Sequence, residues 1–129
     1  RHLEVLPAEF EDITQIDISL EGEDYTITTQ GDKDERKYYY GEEELDIQTL
    51  QTELEGLEAD SFTDEQPTQK EEIRLTLHLD LEGEPVVSIV LYRYDGELCL
   101  AEVDGQPVSL VKRSGVVDLI EAVNAIVLN

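Results

Sequence analysis

The sequence contains no methionine and no tryptophan, and it has a single cysteine. That cysteine, Cys99, cannot form an internal disulfide, so disulfide bonds do not hold this fold together. Its neighbours Leu98 and Leu100 favour a small buried thiol over a reactive one. Because the chain starts at Arg1 and has no methionine anywhere, we expect it to be a processed protein or a piece of a longer one.

Long hydrophobic runs are also absent. No stretch approaches the roughly 18 apolar residues that a membrane-spanning helix needs, and no segment has the pattern of a signal peptide. We therefore expect no direct membrane insertion by this sequence, and we expect any anchor or export signal to lie upstream of it.

Positive charge is scarce, with 9 Lys and Arg residues against 32 Asp and Glu residues and a net charge of −23. This balance disfavours binding to nucleic acid or to anionic membrane surfaces, and it favours cationic partners, counterions and divalent metals. A heavily solvated acidic surface is the plainer interpretation. The 129 residues, of which 40% are hydrophobic, are enough for one folded domain with a real core.

Alternating apolar residues predict most of the strands. The tetrapeptide Leu20-Glu21-Gly22-Glu23 recurs as Leu81-Glu82-Gly83-Glu84, and an alternating segment precedes each copy, at 13–20 and 73–81. Period-two patterns of this kind indicate a strand with one buried face. Further strands are predicted at 25–29, 86–92, 37–40, 97–103 and 108–111, with turns at Gly22, Gly83, Asp95-Gly96 and Asp104-Gly105.

Helical spacing predicts one helix in each half of the chain. Asp46 is the predicted N-cap of the first, and the apolar positions that follow are Ile47, Leu50, Leu54 and Leu57. Ser114 is the predicted N-cap of the second, whose apolar stripe is Val116, Leu119, Ile120, Val123 and Val127. The second stripe is the more apolar, so we expect this helix to pack more deeply.

These elements predict an α+β fold made of two tandem strands-then-helix repeats, βββα and ββββα. The repeats cover about 12–60 and 72–128 of a single domain, 1–129, and a polar linker at 61–71 joins them. Hairpins followed by a helix favour a mainly antiparallel sheet with the helices packed on one face. The pattern leaves open whether the halves share one sheet or form two lobes.

Two segments resemble a known bacterial family, the domain of unknown function numbered 4340. They are the aromatic strand and helix at 40–59 and the closing hairpins at 91–111, and the likeness extends over roughly 12–128. The resemblance implies an extracytoplasmic protein, membrane-tethered or secreted, and it supplies no catalytic residues. Family members often have a tryptophan before the first helix, where this chain has tyrosines.

Catalytic or metal-binding patterns are weak. His78 alternates with the apolar face of its strand, so it is predicted on the polar side with Arg74, Thr76 and Asp80, and His2 lies in the leader. Carboxylates are too abundant for any pair to stand out as acid and base. The acidic run at 32–35 lacks the glycine and the downstream glutamate of an EF-hand loop, which favours a charged hairpin tip. The basic pair at 112–113 is expected to offset local acidity and not to bind phosphate.

Tyrosines form the most suggestive cluster. Tyr38 and Tyr40 share one strand face and Tyr39 takes the other, while Tyr92 and Tyr94 share a face of a later strand. Tyrosines are common in protein and glycan interfaces, so Tyr38, Tyr40, Tyr92 and Tyr94 make a possible interaction surface. The alternative is that they cover the core.

The sequence therefore predicts a non-enzymatic extracytoplasmic module that binds another envelope protein or has a structural role. No catalytic, cofactor-binding or metal-binding residue is assigned, and no nucleic-acid partner is expected. The alternative is a domain that binds divalent cations or a cationic ligand, and a less favoured one is an enzyme that acts on cell-envelope glycans through two carboxylates.

Overall fold

A computed structural model describes residues 4–128, so the expectations for Arg1 and His2 lie outside the described residues. Within that range the chain forms nine strands and two α-helices. The strands are β1 (Ile13–Leu20), β2 (Glu23–Gln30), β3 (Lys37–Tyr40), β4 (Glu43–Leu45), β5 (Ala59–Phe62), β6 (Glu71–Leu79), β7 (Val86–Arg93), β8 (Leu98–Val103) and β9 (Gln106–Lys112). The helices are α1 (Gln48–Glu55) and α2 (Arg113–Val127). Short 3-10 turns occupy Phe10–Asp12 and Lys33–Glu35.

All the strands of residues 4–128 belong to one antiparallel sheet with the order β4-β3-β2-β1-β6-β7-β8-β9-β5. The predicted α+β class with antiparallel pairing is therefore confirmed, and the two halves share one sheet instead of forming two lobes. They meet where β1 pairs with β6, in a register that sets Ile16 opposite Leu77 and Ile18 opposite Leu75. We call this pairing the central seam.

Two strands are missing from the sequence prediction. β4 follows β3 directly, so the first half has four strands before its helix and not the predicted three. β5 pairs with β9 at the sheet edge and reaches into the segment predicted as a polar linker at 61–71. Both are short, and neither the Glu-Glu-Leu of β4 nor the Ala-Asp-Ser-Phe of β5 contains the repeated alternation that reveals a strand.

The two copies of Leu-Glu-Gly-Glu take different structural positions. In the first copy Leu20 pairs with Glu23, and Glu21 and Gly22 form a two-residue turn with φ values of 51° and 80°. In the second copy β6 has already ended at Leu79, and the tetrapeptide lies inside a longer loop closed by Glu84 N–H donating to the Leu81 carbonyl. The repeated tetrapeptide therefore does not mark equivalent positions.

Neither helix begins where its predicted N-cap would place it. α1 begins at Gln48, so its N-cap is Ile47 and not the predicted Asp46, although the Asp46 carboxylate accepts a hydrogen bond from the Gln48 N–H at 3.1 Å. The prediction for Ser114 is wrong, because α2 begins one residue earlier, at Arg113. Lys112 still pairs with Leu98 in the sheet, so β9 passes into α2 without the loop in which a capping residue would lie.

Both helices pack on the same face of the sheet, and one core cluster runs through both halves. Leu50 and Leu54 of α1 and Leu119 and Val123 of α2 are almost completely buried against it. Inward-facing residues of the strands complete the cluster, among them Ile16, Ile18, Ile27, Ile73, Leu75, Leu77, Ile89, Leu91 and Cys99. The predicted burial of Cys99 is confirmed.

The sheet face opposite the helices is covered over β7 and β8. Val90 and Leu100 point away from the helices and are still only 4% and 1% exposed. Residues 63–70 connect β5 at the edge to β6 in the middle, and they bond to Val108 of β9 at one end and to Arg93 of β7 at the other. The connection therefore crosses β8 on this face.

The other side of that face, over β3, β2, β1 and β6, has half-buried and exposed polar side chains in place of buried apolar ones. The pairings Gln15–Thr28, Thr28–Tyr39 and Gln15–His78 place these side chains in one row. We define the open sheet face by six residues: Gln15, Asp17, Thr26, Thr28, Tyr39 and His78.

Candidate functional site

The four tyrosines of the predicted interaction surface do not come together. Tyr38 and Tyr40 share a face, as predicted, but it is the face that carries the helices. Tyr38 is 8% exposed, and its ring centroid lies 5.8 Å from that of Phe10. Burial raises the pKa of the Tyr38 hydroxyl, although Arg36 works in the opposite direction. Tyr40 packs edge-on against Tyr25 at 6.3 Å.

Tyr92 lies on the opposite side of the sheet. Its position across from Leu100 turns it away from the helices, and its hydroxyl donates to the Glu102 carboxylate at 3.2 Å. The Tyr94 hydroxyl donates to Glu65, in the segment that crosses this face, at 2.9 Å. The two pairs of tyrosines are therefore divided between the two faces, and all four have neighbours in the fold. Only Tyr39, which the sequence prediction left out, lies on the open sheet face.

The open sheet face is centred on Asp17. His78 Nε2 lies 2.8 Å from Asp17 Oδ2, and Oδ1 accepts hydrogen bonds from Gln15 Nε2 at 3.0 Å and from Thr26 Oγ1 at 3.2 Å. Burial opposes ionisation of this carboxyl, but the hydrogen bonds with His78, Gln15 and Thr26 outweigh it and lower the pKa of Asp17. Asp17, His78, Gln15 and Thr26 together form a hydrogen-bonded cluster that we call the Asp17 array. Water reaches this array, since His78 and Asp17 are 36% and 39% exposed.

Local sequence explains how the array forms. His78, Thr76 and Arg74 alternate with the buried residues of β6, so the predicted polar orientation of His78 is confirmed. Asp17 occupies the same outward position in β1, between buried Ile16 and Ile18. The central seam then brings the two outward rows side by side. Sequence reasoning missed Asp17 because its partner is 61 residues away and the β1–β6 pairing was not predicted.

A cavity of about 540 Å³ adjoins the open sheet face at the end of β6. His78 and Gln15 line one side, and Arg36 lines the other with a side chain that is only 3% exposed. The Arg36 guanidinium donates to the carbonyls of Gly31 and Glu11, at 3.2 and 3.0 Å. This arginine therefore ties the β2–β3 connection to the turn before β1.

The hydroxyl groups of this cavity are already engaged. Thr14 Oγ1 donates to the His78 carbonyl at 3.1 Å, and Thr29 Oγ1 donates to the Thr14 carbonyl at 2.6 Å. Neither hydroxyl is therefore set against the His78 ring in the arrangement by which a histidine activates a nucleophile. Asp17 holds the His78 imidazole in one orientation. The side chains around the pair offer amide and hydroxyl groups that can form hydrogen bonds with a bound molecule.

The remaining sequence candidates lie at hairpin tips and at the start of α2. The acidic run at 32–35 is the tip between β2 and β3, where Lys33 Nζ contacts Asp12 Oδ1 at 2.8 Å. Within residues 4–128, no group of three or more His, Cys, Asp or Glu side chains could hold a metal ion. Arg113 pairs with Glu72 at 3.0 Å, and Arg93 pairs with the same carboxylate at 3.3 Å.

Comparison with known proteins gives no relative. No family model, no curated protein and no solved structure matches the chain. Over residues 4–128, no helix combines the length and the apolar character required to cross a membrane.

The burial of Tyr38 generates a first prediction. Tyr38→Ala should lower the free energy of unfolding by about 3 kcal/mol, because it removes a buried aromatic ring and leaves a cavity. Tyr38→Phe keeps the ring and should remain within about 1 kcal/mol of the original protein. Urea denaturation of the two variants checks this, and equal stability of Tyr38→Ala and Tyr38→Phe would show that the ring is not part of the core.

The Asp17 array generates a second prediction, on pH dependence. Because the pKa of Asp17 is lowered in the folded state, its interactions stabilise the fold above the ordinary value of 3.8 and are lost as pH falls through the lower, folded value. An NMR titration of the Asp17 carboxyl should find a pKa below 3.8. In His78→Gln the same titration should move upward, since the bond with His78 is the largest of the contributions that lower it. A pKa at or above 3.8 in the original protein contradicts the array.

Proposed function

We propose that this chain is a non-enzymatic protein-binding module that works outside the cytoplasm, within a membrane-tethered bacterial protein. The resemblance of 40–59 and 91–111 to the domain of unknown function numbered 4340 supports this setting. The proposed partner is another protein of the bacterial envelope.

The open sheet face is the observation that carries the proposal of binding. A sheet surface that no other element covers is accessible to a partner. On this surface several polar side chains hydrogen-bond to one another. Gln15, Thr26 and His78 all contact one carboxylate, Asp17. Side chains that are already ordered lose little conformational entropy when a partner binds, which favours association.

Tyr39 supports the same surface. It pairs across the sheet with exposed Thr28, it is half-buried, and it lies in the same row as Gln15 and His78. Tyrosine is over-represented among the residues that contribute most to protein–protein binding, because it combines a large apolar ring with a hydroxyl group. Polar side chains around one tyrosine fit a protein contact better than a substrate cleft.

The engaged hydroxyls around His78 support binding in preference to catalysis. A general base must reach the group whose proton it takes. The hydroxyls of Thr14 and Thr29 donate instead to backbone carbonyls, so neither donates its proton to the His78 imidazole.

We also infer that the chain arose from two copies of a strands-then-helix unit, about 12–60 and 72–128. The element order supports this, since β1 to β4 precede α1 as β6 to β9 precede α2. The sheet order supports it as well, because the two sets of four extend in opposite directions from the central seam. In this interpretation β5 is an addition that follows the first copy.

The proposed surface is tested by changing one exposed position on it. Thr28→Arg places a long cation in the middle of the open sheet face, and it should abolish retention of the envelope protein that the unmodified domain captures from a detergent extract of the source bacterium. The reason is steric, since a contact over this face has no room for the longer side chain.

Thr52→Arg is the matched control, because it makes the same chemical change at an exposed position of α1, on the other side of the molecule. It should leave retention unchanged, and circular dichroism should confirm that both variants are folded. Equal retention by Thr28→Arg and the original protein would remove the open sheet face from consideration, and capture of no protein by the unmodified domain would contradict the proposed function itself.

A further inference from the structure

A second surface lies in the helix layer, on the opposite side of the molecule from the open sheet face. A groove of about 320 Å³ runs between β4 and the first turn of α1 on one side and the last turns of α2 on the other. Leu50 and Ala122 form its floor, with 1% and 6% of their surfaces exposed. We call it the helix groove.

Small side chains explain why the groove is open. On α2 it is lined by Ala122, Ala125 and Ile126, and on α1 by Thr49 and Leu50. Two alanines one turn apart leave the space that larger side chains would fill where two helices meet. The volume is at the lower end of the range for ligand pockets, which suits one side chain better than a whole small molecule.

Two carboxylates line the entrance, those of Glu43 and Asp46. Glu44 also borders the groove, but it pairs with Tyr39, so its side chain lies on the opposite face of the sheet. Glu43 and Asp46 are exposed, and none of the nine residues that line the groove is basic. Asp46 is held in place by its hydrogen bond from the Gln48 N–H. The partial negative charge at the C-terminal end of α2 is opposed by the partial positive charge at the start of α1, so the two carboxylates set the sign of the potential here.

We propose that the helix groove binds a short basic segment of a partner protein, with one aliphatic side chain in the groove and flanking Arg or Lys side chains against the carboxylates of Glu43 and Asp46. The apolar floor accounts for the aliphatic residue, and the acidic entrance accounts for its basic neighbours. Such a contact draws on both hydrophobic burial and charge complementarity, and the latter also speeds association.

The charge of the chain argues against the other occupants of an apolar groove. A second copy of this chain would bring a further net charge of −23 to an entrance that is already acidic. An anionic lipid surface meets the same repulsion. A basic segment is the occupant for which both the floor and the entrance are favourable.

The test uses a synthetic peptide with one leucine between two pairs of arginines, titrated into isotopically labelled protein and followed by NMR. Chemical shift changes should be confined to the residues around Leu45, Thr49 and 122–126. A peptide with serine in place of the leucine should bind at least threefold more weakly. Shift changes spread evenly over the acidic surface would overturn the proposal, because they would mean non-specific attraction.

Two variants test the charge and the space of the groove separately. Glu43→Gln should weaken binding of the leucine peptide about threefold, since a single exposed ion pair contributes modestly to affinity. Ala125→Leu fills the groove at an exposed helix position and should weaken binding about tenfold at unchanged helix content.

Glu44→Gln is the control, because it removes one charge from the next residue of β4, whose side chain lies on the opposite face of the sheet. It should change the affinity by less than twofold, and equal weakening by Glu43→Gln and Glu44→Gln would overturn the proposal. Thr28→Arg should leave peptide binding intact, so the helix groove and the open sheet face can fail independently.

Discussion

The pairing of β1 with β6 is the interaction on which the rest of this structure depends. It joins two four-stranded halves into one sheet, and its register aligns Ile16 with Leu77 and Ile18 with Leu75 in a continuous apolar row. Because that row is continuous, α1 and α2 cover a single core. The same pairing sets the outward rows side by side, which is how Asp17 comes to contact His78. The core and the open sheet face are two consequences of one register.

Charge is the second constraint, since 32 acidic residues share the chain with only 9 basic ones. Several of the basic side chains hold parts of the fold together. Arg36 ties two loops together, and Arg93 and Arg113 share the nearly buried carboxylate of Glu72. None of the residues that line the helix groove is basic. A protein of this composition attracts cationic partners. The open sheet face adds an ordered array of polar side chains to that attraction, and the helix groove adds an apolar floor.

Sequence reasoning found the elements whose residues alternate or repeat at helical spacing, including β1, β6 and both helices. It could not find β4 or β5, because three or four residues without alternation give no periodic signal. The tyrosine surface failed for a different reason. Tyrosines occupy both faces of β3, so the pattern assigned Tyr38 and Tyr39 to opposite faces but could not say which faced the core. Asp17 was missed because its role depends on a strand 61 residues away, and no local pattern encodes such a pairing.

The central claim is that the two halves form one cooperative unit through the β1–β6 pairing. Native-state hydrogen exchange tests it most directly, because each amide reports the free energy of the opening that exposes it. The amides of Ile16, Ile18, Leu75 and Leu77 should exchange only through global unfolding, with the same free energy as urea denaturation gives. If β1 to β4 exchange at a distinctly lower free energy while β7 to β9 remain protected, the halves unfold separately and the claim is contradicted.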